Sequence, residues 1–274
     1  MPIVTTASGS TSALDAVTDS RLAQDLAVHI DGVTKIYRTG GSPVQALDNV
    51  TLKVTPGEFV SLVGASGCGK STLLNLVAGL DQPTAGTVTS VSRPALMFQE
   101  PALLPWLSAG KNVELALKYA GVPRAERSGR ADELLELVRL GGTAKRRVHE
   151  LSGGQRQRIA MARALAQDSK VLLMDEPFAA LDAITRDVLH DELVRIWTAT
   201  GLTVIFVTHN VREAVRLGQR VVLFSSRPGR VVREWAVNIT GPRTIEHPLV
   251  GDLASDITVS LREEIARHAG DKAA

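Results

Sequence analysis

A glycine-rich segment at residues 64–71 constrains the fold of this chain more than any other feature. Its sequence, GASGCGKS, matches the spacing G-x-x-x-x-G-K-[ST]. The short apolar stretch 58–63 before it predicts a buried strand, and the apolar spacing of 71–79 after it predicts a helix. Glycines allow successive backbone N–H groups to turn toward one anion, and a helix N-terminus adds partial positive charge. The sequence therefore predicts an α/β fold built around a strand, a phosphate-binding loop and a helix.

The side chains of this loop indicate that its anion is a nucleotide phosphate with a magnesium ion. We expect Lys70 to reach the β- and γ-phosphates and the Ser71 hydroxyl to ligate Mg²⁺. The other residues expected to contact the nucleotide are Gly64, Ala65, Ser66, Gly67, Cys68, Gly69 and Thr72. Cys68 is the only cysteine, so no disulfide can form within the chain. We interpret it as a small residue that fits the loop, with a redox switch beside Lys70 as the alternative.

A second acidic element follows an apolar stretch at residues 171–174, which predicts a buried strand. Asp175 comes at the end of this strand, where it can hold the Mg²⁺ shell opposite Ser71, through water. Glu176 points to the other side because side chains alternate along a strand, so it can act as general base toward an attacking water. A solvated acidic turn is the alternative, but the pairing with the phosphate loop favours catalysis.

The segment 151–155, LSGGQ, predicts a second anion site at the start of a helix that runs to about residue 167. Ser152 can cap this helix, and Gly153 and Gly154 leave backbone N–H groups exposed before Gln155. An ordinary capped helix start is the alternative. The chain has two such helix starts but only one lysine-bearing loop. This difference suggests that two copies face each other and that each offers a helix start to the other's γ-phosphate.

Composition excludes several classes of protein. The 274 residues include 31 Lys and Arg against 29 Asp and Glu, and only 4% of them are aromatic, so we expect no nucleic-acid partner. No stretch approaches the ~20 apolar residues of a membrane-spanning helix. Residues 1–25 lack a basic region followed by an apolar core, so we expect a disordered tail rather than a secretory signal.

Hydrophobic patterning divides the rest of the chain. Residues 26–54 predict an antiparallel β unit with a turn near 40–43, and residues 101–167 predict a helical insertion in which Asn112 caps the first helix. Further strands are predicted at 87–91, 95–98, 171–174, 203–208, 221–225 and 231–237, and further helices at 130–140, 185–199, 212–217 and 257–268. Strands that alternate with helices predict a mostly parallel sheet with helices on both faces. We expect one domain at 26–230, followed by a short C-terminal extension at 231–274.

In the order of its motifs, the chain resembles the ATP-binding-cassette (ABC) transporter ATPases from about residue 26 to residue 230. LSGGQ at 151–155 is the most discriminating motif. The resemblance implies a P-loop NTPase core with an antiparallel N-terminal β unit and a helical subdomain, ATP and Mg²⁺ as ligands, and an ATP-dependent dimer. One departure is Ala179, where the family more often has serine, which puts a hydrogen bond from that side chain in doubt.

The resemblance also assigns roles to single residues. Tyr37 looks like the aromatic residue that stacks on adenine, and Gln99 like the lid glutamine that contacts Mg²⁺ and the attacking water. Asp182 lies in a stretch that resembles the loop communicating across the dimer. His209 looks like the switch histidine that contacts the γ-phosphate.

Segments 98–106 and 175–183, together with SRPGR at 226–230, resemble the branch that imports nitrate, sulfonates and taurine. That resemblance implies two copies docked on two permease subunits at the cytoplasmic face of the cell (inner) membrane, and an extracytoplasmic solute-binding protein. The apolar run 103–106, which ends in Trp106, fits a docking surface for a permease helix. An internal anchor of the helical insertion is the alternative.

Two other functions remain open from the sequence. A soluble cassette ATPase of DNA repair or translation usually carries two cassettes or a long coiled coil, and no long heptad run is present here. A small-molecule kinase with a phosphate loop would have no need of the segment 151–155. The transported solute is not specified, because the ATPase subunit does not touch it.

Overall fold

The computed structural model describes residues 26–38, 41–241 and 243–271. The tail expected at 1–25 and part of the turn expected at 40–43 lie outside the described residues. The strands are β1 (Val28–Tyr37), β2 (Val44–Val54), β3 (Phe59–Val63), β4 (Ala85–Ser90), β5 (Ala95–Met97), β6 (Val171–Asp175), β7 (Thr203–Val207), β8 (Arg220–Phe224) and β9 (Val231–Ala236). The helices are α1 (Lys70–Val77), α2 (Ala109–Tyr119), α3 (Arg127–Leu137), α4 (Gly153–Leu165), α5 (Ala183–Thr200), α6 (Val211–Leu217) and α7 (Pro248–Asp271).

The larger sheet has the strand order β5-β6-β7-β3-β8-β9, and every neighbouring pair is parallel except β8 and β9. The expectation of a mostly parallel sheet is confirmed. All five residues of β3 and of β7 are buried, as is typical of parallel strands with both faces covered. Since parallel strands share a direction, the segments that follow β5, β6, β7, β3 and β8 lie side by side along one edge of the sheet.

A separate antiparallel sheet has the order β2-β1-β4. The predicted N-terminal antiparallel unit is therefore confirmed, and the strand predicted at 87–91 joins it as β4. The buried side chains of β1 and β2, among them Val28, Leu47 and Val54, belong to the same apolar cluster as Leu62 of β3 and Leu73 of α1. This shared core attaches the antiparallel sheet to the strand and helix on either side of the phosphate loop.

Three α-helices and a short 3₁₀ turn at Val148–Glu150 lie between β5 and β6, which confirms the helical insertion. The expected cap at Asn112 is wrong, because α2 begins at Ala109 and its cap is Ser108, four residues earlier, whose hydroxyl accepts from the N–H of Lys111 at 3.3 Å. Asn112 is buried instead, and its side chain bonds the backbone of Leu104 in both directions, at 2.8 and 3.2 Å. Asn112 thus fixes the segment before the helix rather than the helix end.

The residues after Arg230 complete a third apolar cluster. Strand β9 pairs with β8, and α7 packs against α6. Buried α7 residues Val250, Ala254 and Ile257 join Val63, at the end of β3, and Val215 of α6. In the described residues no helix is both long and apolar enough to cross a membrane.

We expect Ile257→Ala to lower the free energy of unfolding by about 2–5 kcal/mol, because Ile257 is fully buried and its loss leaves a cavity. Val259, two residues further along the same helix, is 54% exposed, so Val259→Ala is expected to change stability by less than about 0.5 kcal/mol. Urea unfolding of both variants measures the difference. Equal losses would contradict docking of α7 on the core.

Candidate functional site

The phosphate loop is shaped by two glycines in the left-handed region. Gly67 has φ of 74° and Gly69 has φ of 105°, which residues with side chains rarely adopt. A Cβ on Gly69 would lie 2.7 Å from the carbonyl oxygen of Ala46 in β2, so the loop backbone passes directly against the antiparallel sheet. Helix α1 begins at Lys70, and Gly69 provides no side-chain cap. The first turn therefore keeps the anion-binding character expected of an uncapped helix N-terminus.

The ammonium group of Lys70 is folded into this loop. Lys70 is only 5% exposed, and its Nζ donates to the carbonyl oxygens of Gly64 at 2.9 Å and Ala65 at 3.0 Å. Cys68 is buried, with Sγ 3.6 Å from the same Nζ, and a Cβ on Gly64 would meet that sulfur at 2.9 Å. The packing fits the interpretation of Cys68 as a small filler, and the ammonium group of Lys70 lies against the backbone at the start of the loop.

The turn after β8 holds the loop from the other side, a contact that the sequence reasoning missed. Gly229 lies so close to the phosphate loop that a Cβ on it would sit 2.2 Å from the carbonyl oxygen of Cys68. Its N–H donates to the carbonyl oxygen of Ala46 at 2.9 Å, and the Nε of Arg227 donates to that of Gly67 at 3.3 Å. In the sequence, SRPGR indicates only a family resemblance, and its glycine and arginine are the residues that could have pointed to this contact.

Asp175 ends β6 beside Ser71 and Lys70. Burial raises the pKa of its carboxyl group, and the charge of Glu176 acts in the same direction. A hydrogen bond with the Ser71 hydroxyl and the charge of Lys70 oppose that rise in pKa. A partly buried carboxylate therefore lies beside the Ser71 hydroxyl and within the electrostatic influence of Lys70.

These oxygen donors fit a magnesium ion. A carboxylate and a hydroxyl are the hard ligands that Mg²⁺ prefers, and this ion usually keeps waters and substrate phosphates in its remaining positions. Among the described residues no three His, Cys, Asp or Glu side chains are grouped to form a complete protein metal cage. Ser71 and Asp175 would hold a magnesium ion only together with the phosphates of a nucleotide.

Glu176 and His209 meet at the ends of β6 and β7. Oε2 of Glu176 accepts a hydrogen bond from Nδ1 of His209 at 2.8 Å, and the Glu176 side chain is 24% exposed against 62% for His209. Glu176 has φ of 44°, a left-handed conformation that is unusual for a glutamate, and its N–H donates to the carbonyl oxygen of Val207 at 2.9 Å. Strain of this kind persists where surrounding contacts fix the backbone, and it is frequent at catalytic positions.

Gln99 reaches the same edge of the sheet because β5 neighbours β6. Its side chain is exposed, and its backbone carbonyl accepts a hydrogen bond from Nε2 of Gln157 in α4 at 2.9 Å. The segment that carries Gln99 is therefore attached to the helix that starts at Ser152. Its predicted contact with Mg²⁺ and water stays a prediction.

Tyr37 lies at the end of β1, where it pairs with Val44 of β2. Its hydroxyl donates to Oδ2 of Asp81 at 3.2 Å, and the Nζ of Lys35 lies 4.9 Å from its ring centre. Asp81 follows the C-terminal end of α1, whereas Lys70 begins that helix. The hydroxyl is thus bound to the segment that follows α1, and the stacking of the Tyr37 ring on adenine stays a prediction.

The LSGGQ segment is held by hydrogen bonds of its own. Ser152 and Gln155 form a reciprocal capping box at the start of α4, with distances of 3.3 and 3.0 Å. A Cβ on Gly154 would meet Cγ2 of Thr185 at 2.6 Å, and Oδ1 of Asp182 accepts from the N–H of Thr185 at 2.9 Å, which lowers the pKa of Asp182. In the part of the chain that the structure describes, these side chains form no hydrogen bond with residues 64–71.

One protomer therefore holds two separate groups of predicted site residues. The parallel sheet brings Gln99, Asp175, Glu176, His209 and the loop with Lys70 and Ser71 to one edge. The second group starts α4 and lies against the start of α5, near Asp182. Its members are Ser152, Gly153, Gly154 and Gln155. Ligands of open α/β sheets bind outside the carboxyl ends of the strands, which is where the first group lies.

We expect Gly229→Ala to weaken nucleotide binding by about tenfold or more, because the added methyl group must displace the loop at Cys68 or the turn itself. Gly251→Ala in α7 is the matched control, since a Cβ there meets nothing within 4 Å. Titration of each variant with a fluorescent ATP analogue measures the effect. Equal affinity of both variants would contradict the clamp on the loop.

Comparison with known proteins is consistent with this geometry. A profile of the ABC transporter family matches residues 47–179. The taurine import ATP-binding protein TauB of Mesorhizobium japonicum is 49% identical over 201 residues, which cover 70% of this chain and 78% of that relative. The nitrate import ATP-binding protein NrtD of Synechocystis sp. is 43% identical over 222 residues, which cover 78% of this chain and 84% of that relative.

A solved structure gives the same result for the fold. The ATP-binding cassette MJ0796, a dimer in a post-hydrolysis state bound to ADP and Pi, has a TM-score of 0.69 and 36% identity to this chain. The match covers 78% of this chain and 100% of that one. This chain therefore belongs to the ATP-binding proteins of ABC transporters, a family of ATPases.

Proposed function

We propose that this protein is the ATP-hydrolysing subunit of an ABC importer, and that two copies hold ATP between them. The observation that carries the proposal is the hydrogen bond between Glu176 and His209 at the sheet edge that also carries the phosphate loop. A carboxylate held by an imidazole, beside an anion-binding loop, is suited to activating water next to a terminal phosphate. We further propose that Tyr37 stacks on adenine and that Gln99 contacts Mg²⁺ and the attacking water.

In the proposed site each group has a distinct task. Lys70 and the loop N–H groups bind the phosphates, and Ser71 and Asp175 hold Mg²⁺, which supplies positive charge to the phosphate oxygens when it is bound. Glu176 takes the proton of the attacking water. A carboxylate has two oxygens, so one can accept from His209 while the other faces water. His209 orients the γ-phosphate.

Ser152 and Gly154 of a second copy complete the proposed site. Within the described residues no hydrogen bond joins them to the phosphate loop of their own chain, and the helix start at Ser152 is exposed; both facts support this arrangement. So does the dimeric state of the related cassette. ATP would then favour a closed dimer because both copies contact it, and hydrolysis would remove that bridge. Such a difference in ligand contacts between two states is what drives a conformational change.

A groove beside the helical insertion supports docking on a permease. Its volume is about 440 Å³, and its lining includes Leu104, Tyr119 and Arg163. Tyr119 is 81% exposed and Trp106, nearby in sequence, is 69% exposed, so Trp106 does not act as an internal anchor. Large exposed aromatic side chains favour a protein partner, and we propose a short permease helix as the occupant.

The remaining parts of the proposal concern the transporter as a whole. We propose a peripheral location at the cytoplasmic face of the inner membrane and a solute delivered by an extracytoplasmic binding protein. Relatives are import proteins for taurine and for nitrate, and a small solute of this kind is proposed here without a choice between them. Because these relatives are import proteins, they do not support the two alternative functions, an ATPase of DNA repair or translation and a small-molecule kinase.

Replacing Glu176 by glutamine is expected to lower the turnover of ATP by about 10²–10⁴-fold, because the amide cannot accept the proton of water. ATP binding should persist, so the variant is expected to form a stable dimer with ATP and Mg²⁺. Phosphate release and size-exclusion chromatography measure the two effects. Turnover at the wild-type rate would contradict the general-base role.

A mixing experiment tests the composite site. Ser152→Arg is expected to abolish turnover and to leave ATP binding by the monomer intact, because the bulky cation blocks the site of the facing copy. Mixing it with Lys70→Ala subunits should restore part of the activity, since each mixed dimer then has one intact site. Absence of any recovery, with mixed dimers verified by differential tags, would refute sites shared between copies.

A further inference from the structure

A buried polar network lies directly behind His209. Thr208 precedes this histidine, and its hydroxyl donates to Oε2 of Glu213 in α6 while accepting from the N–H of Asn210 at 3.0 Å. The side chain of Asn210 in turn accepts from the N–H of Glu213 at 3.2 Å. Thr208 and Asn210, which flank His209, are therefore both hydrogen-bonded to Glu213. Thr208 is bonded through its hydroxyl, and Asn210 through its side-chain oxygen.

The second oxygen of Glu213 connects this turn to α5. Oε1 of Glu213 and Nε2 of His190 lie 2.6 Å apart, and both residues are at least 95% buried. Arg216, also buried, has Nη1 3.3 Å from Nδ1 of His190. A buried carboxylate needs hydrogen-bond partners to compensate for its lost hydration, and the contacts with Thr208 and His190 supply one for each oxygen of Glu213.

Helix α5 also holds the segment that follows Glu176. The guanidinium of Arg186 donates to the carbonyl oxygens of Phe178 at 3.2 Å and Leu181 at 2.6 Å. The ring of Phe178 meets that of His190 edge-on, with 5.4 Å between their centres. Helix α5 thus contacts the backbone of residues 178–181 through Arg186 and the side chain of Glu213 through His190, one turn further along.

His209 itself has few means of holding its position. Its side chain is 62% exposed, and its hydrogen bond to Glu176 joins it to a residue that is itself in a strained conformation. Its neighbour Thr208 is anchored twice, because its N–H donates to the carbonyl oxygen of Leu62 at 3.2 Å and its hydroxyl binds Glu213. The placement of the imidazole therefore depends on Thr208 and on the carboxylate behind it.

We propose that Glu213 is a positioning residue for ATP hydrolysis, which holds His209 against Glu176 through the Thr208 hydroxyl and links it, through His190, to the segment 178–181. The inference rests on the proposed roles of Glu176 and His209. Movement of residues 178–181 at a dimer contact would then shift α5, Glu213 and the imidazole together. Only the hydrolytic step depends on this link, because Lys70 and Ser71 belong to another part of the edge.

The test compares kcat and KM for ATP in the full-length protein. Glu213→Ala and Thr208→Val are each expected to lower kcat about tenfold or more, with KM changed less than about threefold, because loss of alignment affects the chemical step and spares phosphate binding. Thr208→Ser keeps the hydroxyl and should retain most of the wild-type kcat. Leu135→Ala, at a buried position of α3, is the control for a comparable loss of thermal stability without loss of kcat.

A double-mutant cycle with His209→Ala separates positioning from a general structural effect. If Glu213 acts through His209, Glu213→Ala should lower kcat no further when His209 is already alanine. Equal factors in both backgrounds would overturn the proposal, as would wild-type kcat for both Glu213→Ala and Thr208→Val. Should Glu213→Ala fail to fold, Thr208→Val and Glu213→Gln enter the same cycle.

The cycle also distinguishes this inference from the proposed function. Near-normal turnover by His209→Ala would refute the role of the histidine itself. Low turnover by His209→Ala together with normal turnover by the Glu213 and Thr208 variants would refute the positioning role alone.

Discussion

The close packing of the phosphate loop between β2 and the turn after β8 is the constraint on which the rest of the site depends. Gly69 and Gly229 allow backbone to approach backbone where any side chain would intrude, at 2.7 and 2.2 Å for a hypothetical Cβ. The carbonyl oxygen of Ala46 faces Gly69 and also accepts a hydrogen bond from the N–H of Gly229 at 2.9 Å. The loop is therefore shaped before a nucleotide arrives, and the cost of ordering it is met by folding rather than by binding.

The strand order of the sheet determines which charged side chains lie near that loop. Strands β5, β6, β7 and β3 are parallel neighbours, so Gln99, Asp175, Glu176 and His209 lie at one edge with Lys70. Burial raises the pKa of Asp175 there, while Lys70 and Ser71 oppose the rise. The proposed second half of the site, at Ser152, lies on the helical insertion instead. A ligand that contacts both halves can stabilise the closed dimer, which is the source of work in the proposed cycle.

The segment after β5 joins the two surfaces of the protein. Gln99 is bonded to Gln157 of α4, and Arg163 of the same helix donates to the carbonyl oxygens of Pro101 and Ala102 beside the exposed groove. Burial lowers the pKa of Arg163. A permease helix in that groove and a nucleotide at the sheet edge would thus both contact elements attached to α4.

The local units could be predicted from the amino-acid order, because their signals lie within a few residues: GASGCGKS between strand and helix, Asp175 and Glu176 at a strand end, and Ser152 as a helix cap. The parallel sheet and the helical insertion followed from hydrophobic periodicity. Three contacts became visible only in the folded chain: Asn112 binds Leu104 instead of capping α2, Gly229 supports Cys68, and His190 meets Glu213. Those contacts join side chains or backbone brought together by packing, and no local pattern of residue types records which distant group will be the partner.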